Sequence, residues 1–272
     1  MNEAPFTVVI PAYNRADTIK QSIRSVQQQT FDQWKLLIID DASTDKTVEK
    51  IKPFLSDPRI RFLSLPKNKG ISHALNYALQ EVDTPYFIQL DSDDRLAKQA
   101  LRYFHKALEK DPEAALFYGN VSLWRKNKGQ KWVRVKRIRH RSFDDKYQFL
   151  TYMTYMLHPR CYRTEAVRSV GGWETDDPYE GRMMEDRRMV IKLIERYPIR
   201  WIDRELYYRR IHGKQLTNRA NVRARNELRR RLVNNSLQKW GDHYQAVFGY
   251  RHGYLIVKQL IPQKKEEAGE SP

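Results

Sequence analysis

Three short apolar runs, each followed by a polar turn and then a helical pattern, organise the first half of the chain. Phe6-Thr7-Val8-Val9-Ile10 leads into Pro11-Ala12-Tyr13-Asn14-Arg15, and Lys35-Leu36-Leu37-Ile38-Ile39 leads into Asp40-Asp41-Ala42-Ser43-Thr44-Asp45. The third, Tyr86-Phe87-Ile88-Gln89-Leu90, leads into Asp91-Ser92-Asp93-Asp94. Apolar, β-branched runs alternating with helices predict βαβ units and a parallel sheet buried on both faces. Right-handed crossovers bring the three turns to the carboxyl-terminal edge of that sheet, where ligands bind at the reversal of strand order. The periodicity predicts helices over 17–29, 44–55, 71–82 and 97–110, with further strands near 60–65 and 114–123.

The pattern changes after this. From Trp124 to Arg141 basic and apolar residues alternate around Lys128-Gly129, which predicts an exposed hairpin. Helical patterns return over 185–196 and, in a long basic form, over 218–240. The polar segment 263–272 reads as disordered.

The acidic turn carries the candidate chemistry. Carboxylates crowded at a strand end repel one another and raise one another's pKa unless a cation sits among them, and oxygen ligands suit Mg²⁺ or Mn²⁺. The competing reading is structural, with Asp93 or Asp94 capping a helix that begins near Leu96.

Composition bounds the rest. A chain of 272 residues with 40% hydrophobic content can bury a sizeable core, in one large domain or a domain with an appendage. Its single cysteine, Cys161, excludes an internal disulfide and a cysteine-built zinc site, which favours a reduced, cytoplasmic setting. Met1-Asn2-Glu3-Ala4-Pro5 lacks a basic leader, and no apolar stretch approaches the ~20 residues that span a bilayer. A soluble protein is expected, with at most a peripheral membrane contact.

The 50 Lys and Arg exceed the 33 Asp and Glu, leaving a formal charge of +17. One basic block runs from Arg125 to Arg141, and another comprises Arg219, Arg223, Arg225, Arg229, Arg230 and Arg231. Such blocks attract nucleic acid, anionic lipid or an acidic glycan, unless they merely solvate a surface. Trp124, Trp132, Tyr207 and Tyr208 lie among them and could stack on sugars or bases. A nucleic-acid-binding protein is therefore the second reading, although no recognition-helix, zinc-finger or RNA-binding signature is present. A nucleotidyltransferase is the third, lacking its phosphate loop after the first strand.

Taken in order, Pro11-Ala12-Tyr13-Asn14-Arg15, Asp40-Asp41-Ala42-Ser43-Thr44-Asp45, Asn68-Lys69-Gly70, Asp91-Ser92-Asp93-Asp94, Gly171-Gly172-Trp173 and Glu185-Asp186 resemble the motifs of inverting family 2 glycosyltransferases with the GT-A fold. The finer likeness is to spore-coat-polysaccharide-type bacterial enzymes. The resemblance implies an α/β, Rossmann-like fold whose mostly parallel central sheet is flanked by helices. It divides the chain into a glycosyltransferase domain over 1–218, with the nucleotide half at 1–120 and the acceptor half at 121–218, and a basic helical extension over 219–262.

The same resemblance implies site roles. Asp41 would accept the N3–H of a uracil or thymine, with Pro11, Tyr13 and Arg15 at the base pocket. Lys69, Gly70 and His73 would face the donor, and Asp91 and Ser92 the ribose. Asp93, with Asp94 and His212, would hold Mn²⁺ or Mg²⁺ across the diphosphate. Asp186 would be the base that deprotonates the acceptor hydroxyl, with Glu185 as the alternative. Against these stand plain readings: Asp41 and Asn68-Lys69-Gly70 as turn residues, Tyr13 and His212 as packing or surface residues, and Glu185-Asp186 as a pair complementing a helix dipole. Asp45 is read as a cap. Many relatives carry an arginine five residues after the glycine of Asn68-Lys69-Gly70, where this chain has Leu75. The implied partners are a uridine or thymidine diphosphate sugar and a glycan or other hydroxyl acceptor, the latter anionic if the charge serves it. The charge also admits contact with the anionic inner face of a membrane.

Overall fold

The computed structural model describes residues 4–211 and 221–263. His212 and nearly all of the tail predicted as disordered lie outside them. The described chain forms two compact units, one over residues 4–142 and 157–211 and the other over 143–156 and 221–263.

The first unit is built on a sheet whose strand order among the described residues is β3-β2-β1-β4-β8-β6-β9-β5, with β7 paired to β6. The three apolar runs become β1 (Phe6–Ala12), β2 (Trp34–Asp40) and β4 (Tyr86–Gln89), and nearly every residue in them is buried. β1 pairs in parallel with both β2 and β4, with Ala12 opposite Asp40 and Val9 opposite Gln89, so the three polar turns leave the sheet at one edge. The helices α1 (Ile19–Gln27), α3 (Ile71–Glu81) and α4 (Ala100–Lys110) turn apolar faces inward, with Ile19, Ile23 and Val26 fully buried on α1. Each such aliphatic side chain stabilises the fold by about 1.5–3 kcal/mol. α2 (Thr47–Ile51) is shorter than its pattern suggests, because Pro53 cannot continue an α-helix and the chain tightens into a 3₁₀ turn over Lys52–Phe54.

β3 (Ile60–Ser64) extends the parallel edge, and the other half of the sheet is mixed. β8 (His158–Arg163) runs antiparallel to β4 and to β6 (Leu116–Lys126), while β9 (Ile199–Ile211) runs parallel to β6. β5 (Arg95–Leu96) pairs with Tyr207–Tyr208 of β9. The hairpin predicted from Trp124 is present as β6 and β7 (Trp132–Ile138), and most of β7 is exposed. Two further helices, α6 (Thr164–Ser169) and α7 (Glu185–Ile194), complete this unit.

The second unit holds α5 (Lys146–Tyr152), the basic helix α8 (Val222–Lys239) and a hairpin of β10 (Tyr244–Arg251) and β11 (Tyr254–Pro262). That hairpin corrects the expectation of a wholly helical extension over 219–262. Its turn is His252-Gly253, both with positive φ (51° and 83°), the geometry of a two-residue turn whose twist matches the strands. Nor is the basic block of α8 a uniformly solvated face. Arg229 is 6% exposed and donates to the carbonyl of Leu255, and Arg230 lies 4.4 Å from the ring centre of Phe248.

Candidate active site

The β1 and β2 turns are stitched to each other. Asn14, left-handed at φ 52°, accepts the N–H groups of Thr44 (2.8 Å) and Asp45 (3.3 Å) on Oδ1, and its own N–H donates to Ser43 Oγ at 2.9 Å. Asp45 accepts the N–H of Thr47 at 2.8 Å and of Ala16 at 3.2 Å, so it fastens the turn just before α2, whose N-cap position is Lys46. Pro11 is buried at the end of β1 and Tyr13 is 41% exposed beyond it.

Asp41 is buried and takes the backbone N–H of Lys69 on one carboxylate oxygen (2.8 Å) and of Gly70 on the other (2.7 Å). Burial raises its pKa, and these two hydrogen bonds oppose the rise. Gly70 has φ 92° and caps α3, whose first turn carries His73, half-buried; the Lys69 side chain is exposed. Although Leu75 is buried in the core, a cation does reach this loop. Arg182 donates to Asn68 Oδ1 at 2.8 Å, and its side chain passes so close to Gly70 that a Cβ there would sit 2.8 Å from Arg182 Cγ.

The acidic turn separates its members. The chain after it forms β5, and α4 begins only at Ala100, so neither Asp93 nor Asp94 caps that helix. Asp94 is 3% exposed and accepts the N–H of Arg210 on β9 at 2.8 Å; burial, then Asp93 and Asp91, push its pKa well up. Ser92 is buried, and its carbonyl accepts the hydroxyls of Thr18 and Ser22, both at 3.0 Å. Asp93 is half-buried, with Oδ2 3.7 Å from Arg15 Nε, and the Arg15 guanidinium also donates to the Tyr13 and Asn14 carbonyls at 3.0 Å.

Asp91 meets two residues that sequence reasoning missed. Its Oδ1 lies 3.2 Å from Arg160 Nη2 and its Oδ2 3.5 Å from His158 Nε2, both on β8. Burial opposes ionisation of Asp91, but Arg160, His158 and Arg209 together outweigh it and hold the carboxyl well below its usual range. His158 is stacked on Tyr207 with ring centres 4.7 Å apart, and Tyr207 accepts the Asp91 N–H at 3.2 Å. Burial, then Arg160, lowers the His158 pKa to about 4, so its imidazole is neutral near pH 7.

Glu185 and Asp186 open α7. Asp186 is 2% exposed, with Oδ2 3.6 Å from Arg160 Nη1 and Oδ1 3.2 Å from Arg187 Nη1. Burial disfavours its charge, but Arg187 and Arg160 prevail and its pKa falls. Glu185 behaves oppositely: burial, then the Asp186 charge, raises its pKa to about 7. Arg160, 1% exposed, thus joins the predicted donor-side carboxylate to the predicted base.

The donor set suits a hard cation. Asp93 offers a half-buried carboxylate beside Asp94, whose pKa is pushed up by burial and then by the charges of Asp93 and Asp91, and a cation there would relieve that crowding. Among the described residues no three His, Cys, Asp or Glu side chains form a protein-only metal shell, so diphosphate oxygens and water would have to complete one. His212 lies outside the described residues. Beyond the acidic turn, the β6–β9 face carries Trp124 against Tyr208 (5.9 Å between ring centres), Arg95 5.7 Å from the Tyr208 centre and Arg210 5.8 Å from that of Trp132.

Comparison with known proteins places the chain. It is 29% identical over 244 residues to chondroitin synthase of Escherichia coli, covering 86% of this chain and 33% of that one. It is 28% identical over 258 residues to hyaluronan synthase of Pasteurella multocida, covering 90% and 24%. The chain therefore spans a third or less of the length of these curated relatives. Among solved structures, S. aureus TarS 1-349 in complex with UDP-GlcNAc superposes with a TM-score of 0.68 at 17% identity, over 85% of this chain and 66% of that one. A mannosyltransferase of Pyrobaculum calidifontis in complex with GDP-Man and Mn²⁺ gives 0.58 at 18%, over 79% and 59%. At such identities the likeness speaks for the GT-A fold. Residues 7–171 match the family described as Glycosyl transferase family 2, and this chain belongs to that family.

Proposed function

We propose that the protein transfers a sugar from a uridine or thymidine diphosphate donor to a hydroxyl of a growing, anionic glycan or polyol-phosphate acceptor, with inversion at the anomeric carbon and dependence on Mn²⁺ or Mg²⁺. The observation that carries this is the single buried guanidinium of Arg160, 3.2 Å from Asp91 and 3.6 Å from Asp186, which sets a donor-side and an acceptor-side carboxylate in one site.

In this reading Asp41 accepts a base N–H while the loop it anchors, Asn68-Lys69-Gly70, borders the donor. Asp91 accepts ribose hydroxyls, and Asp93 holds the cation. When bound, that cation neutralises charge developing on the diphosphate. Asp186 is ionised, as a base must be, and takes the proton of the acceptor hydroxyl as its oxygen attacks the anomeric carbon. The bond from that carbon to the diphosphate oxygen breaks, and the electron pair leaves with the nucleotide. The acceptor's charge is inferred from the exposed Arg134, Lys136 and Arg137 on β7.

The test is a thermal-shift screen of nucleotide-diphosphate sugars with and without Mn²⁺, followed by detection of released nucleotide with candidate acceptors. A ligand that binds the folded state raises Tm by mass action. A Mn²⁺-dependent rise with a uridine or thymidine donor is expected, and no rise with any donor would sink the reading.

A further inference from the structure

We propose that Arg160 is a positioning residue: it shares its charge between Asp91 and Asp186, and so couples occupancy of the donor side to the state of the catalytic base. The role names rest on the function proposed above; the coupling between the two carboxylates does not.

Arg160 is 1% exposed on β8, opposite Gln89, the last residue of β4 before the acidic turn. A buried arginine is costly unless its charge is matched, and here the matching charges come from two different motifs, Asp91 at 3.2 Å and Asp186 at 3.6 Å. The planar guanidinium donates from Nη2 to Asp91 at 3.2 Å, while its Nη1 makes an ion pair with Asp186 at 3.6 Å that is longer than a hydrogen bond, so one delocalised charge is shared between two carboxylates. His158, on the same face of β8, holds the other Asp91 oxygen at 3.5 Å and is itself stacked on Tyr207. The groups facing Asp186 are Arg160, His158 and Tyr162 from β8, and Arg187 and Glu185 from α7. Of these, Arg160 alone also contacts Asp91 and ion-pairs with Asp186. Whatever engages Asp91 alters how the Arg160 charge is shared, and Asp186 feels the difference.

The experiment is a carboxyl-carbon NMR titration of protein labelled at aspartate, with the Asp186 signal assigned by its loss in Asp186→Asn. In Arg160→Gln the Asp186 midpoint should rise by about 1–3 pH units, because an opposite charge at this distance is removed. Where turnover is measurable, the acidic limb of kcat should move up by the same amount. An unchanged midpoint overturns the proposal. Should Arg160→Gln fail to fold, Asp91→Asn decides: with Arg160 no longer shared, the Asp186 midpoint should fall, and constancy there overturns the coupling. Absence of sugar transfer by the wild type would instead overturn the glycosyl-transfer reading, and the titration would still decide the coupling.

Discussion

Asn76 and Trp173 clasp each other: the Asn76 side-chain amide donates to the Trp173 carbonyl at 2.7 Å, and its Oδ1 accepts the Trp173 N–H at 2.8 Å. This pair of bonds ties α3 to the Gly171-Gly172-Trp173 turn, two segments far apart in the chain. Gly172 makes the approach possible, with φ 65° and a position where a Cβ would come within 2.5 Å of Asn76 Oδ1.

Asn76→Ala should therefore destabilise the protein by about 1–3 kcal/mol, since it leaves a donor and an acceptor of the turn unpaired. Gly172→Ala should cost at least as much, through both the backbone and the clash. Denaturant midpoints at constant m-value measure both. Wild-type stability of Asn76→Ala would show that the clasp contributes nothing net.

Asp93 and Asp94 should separate cleanly. Asp93→Ala is expected to abolish Mn²⁺-dependent binding of a nucleotide diphosphate while the melting temperature without ligand stays close to wild type. Asp94→Ala should lower that melting temperature, because the Arg210 N–H loses a buried acceptor 2.8 Å away. Calorimetric titration with and without Mn²⁺ reads the first effect and thermal denaturation the second. Metal-dependent affinity that survives Asp93→Ala would remove this residue from the cation site.

Asp186→Asn keeps size and shape but cannot take a proton, so turnover should fall by roughly 10²- to 10⁴-fold with donor affinity nearly constant. Glu185→Gln, beside the same helix terminus, should cost far less. With its pKa at about 7, Glu185 is only partly ionised at neutral pH, whereas the Asp186 pKa is held down by Arg187 and Arg160 against burial. Steady-state rates of the two variants decide. A larger loss in Glu185→Gln would exchange the roles.

His140 offers a pH test of stability. It is 2% exposed, and burial, with His158 nearby, lowers its pKa from 6.5 to about 3. The unfolded chain takes up a proton below pH 6.5 that the folded chain refuses, so this residue's contribution is lost as pH falls, at on the order of 1 kcal/mol per pH unit. Comparing the unfolding free energy of wild type and His140→Phe between pH 7 and pH 5 isolates that slope. Parallel curves would mean that His140 is protonated in the folded state.

The two basic blocks should respond differently. Replacing Arg134, Lys136 and Arg137 by Gln on the exposed β7 should weaken binding to a phosphate polymer, by less as salt rises, and leave stability within about 0.5 kcal/mol. Arg229→Gln should chiefly destabilise, since this buried side chain serves the Leu255 carbonyl. Polyanion binding at low and moderate ionic strength, alongside melting curves, separates the cases. Equal binding by wild type and the triple variant at low salt would make β7 a merely solvated face.

The parallel half of the fold was legible because its causes are local. Phe6–Ile10, Lys35–Ile39 and Tyr86–Leu90 are largely apolar, as strands covered on both faces must be, and each is punctuated by a polar turn, so strand identity, direction and the shared edge all followed. The Trp124 hairpin was legible from its alternation around Lys128-Gly129. β8 and β9 were not, because His158-Pro159-Arg160 and Tyr208-Arg209-Arg210 mix charge with apolar residues in a pattern that has neither strand nor helix period. The hairpin of β10 and β11 was hidden for another reason: it lies beyond the motifs, where a basic helix dominated the reading.

The sequence by itself determined which residues could carry the chemistry, since carboxylates at strand ends and at a helix start are visible as residue types in register with local periodicity. Only the tertiary structure decided what each carboxylate does. Asp94 is spent on a backbone N–H of β9, Asp41 on the loop before α3, and Asp91 and Asp186 on one arginine contributed by a strand that no pattern announced. Ionisation follows the same division. Burial first, and then charged neighbours in the chain, raise Asp94 and Glu185, while partners brought from elsewhere in the fold, above all Arg160, keep Asp91 ionised and reinforce Arg187 at Asp186. A sequence records spacing along the chain, and the Coulomb energy between buried groups depends on distance through space.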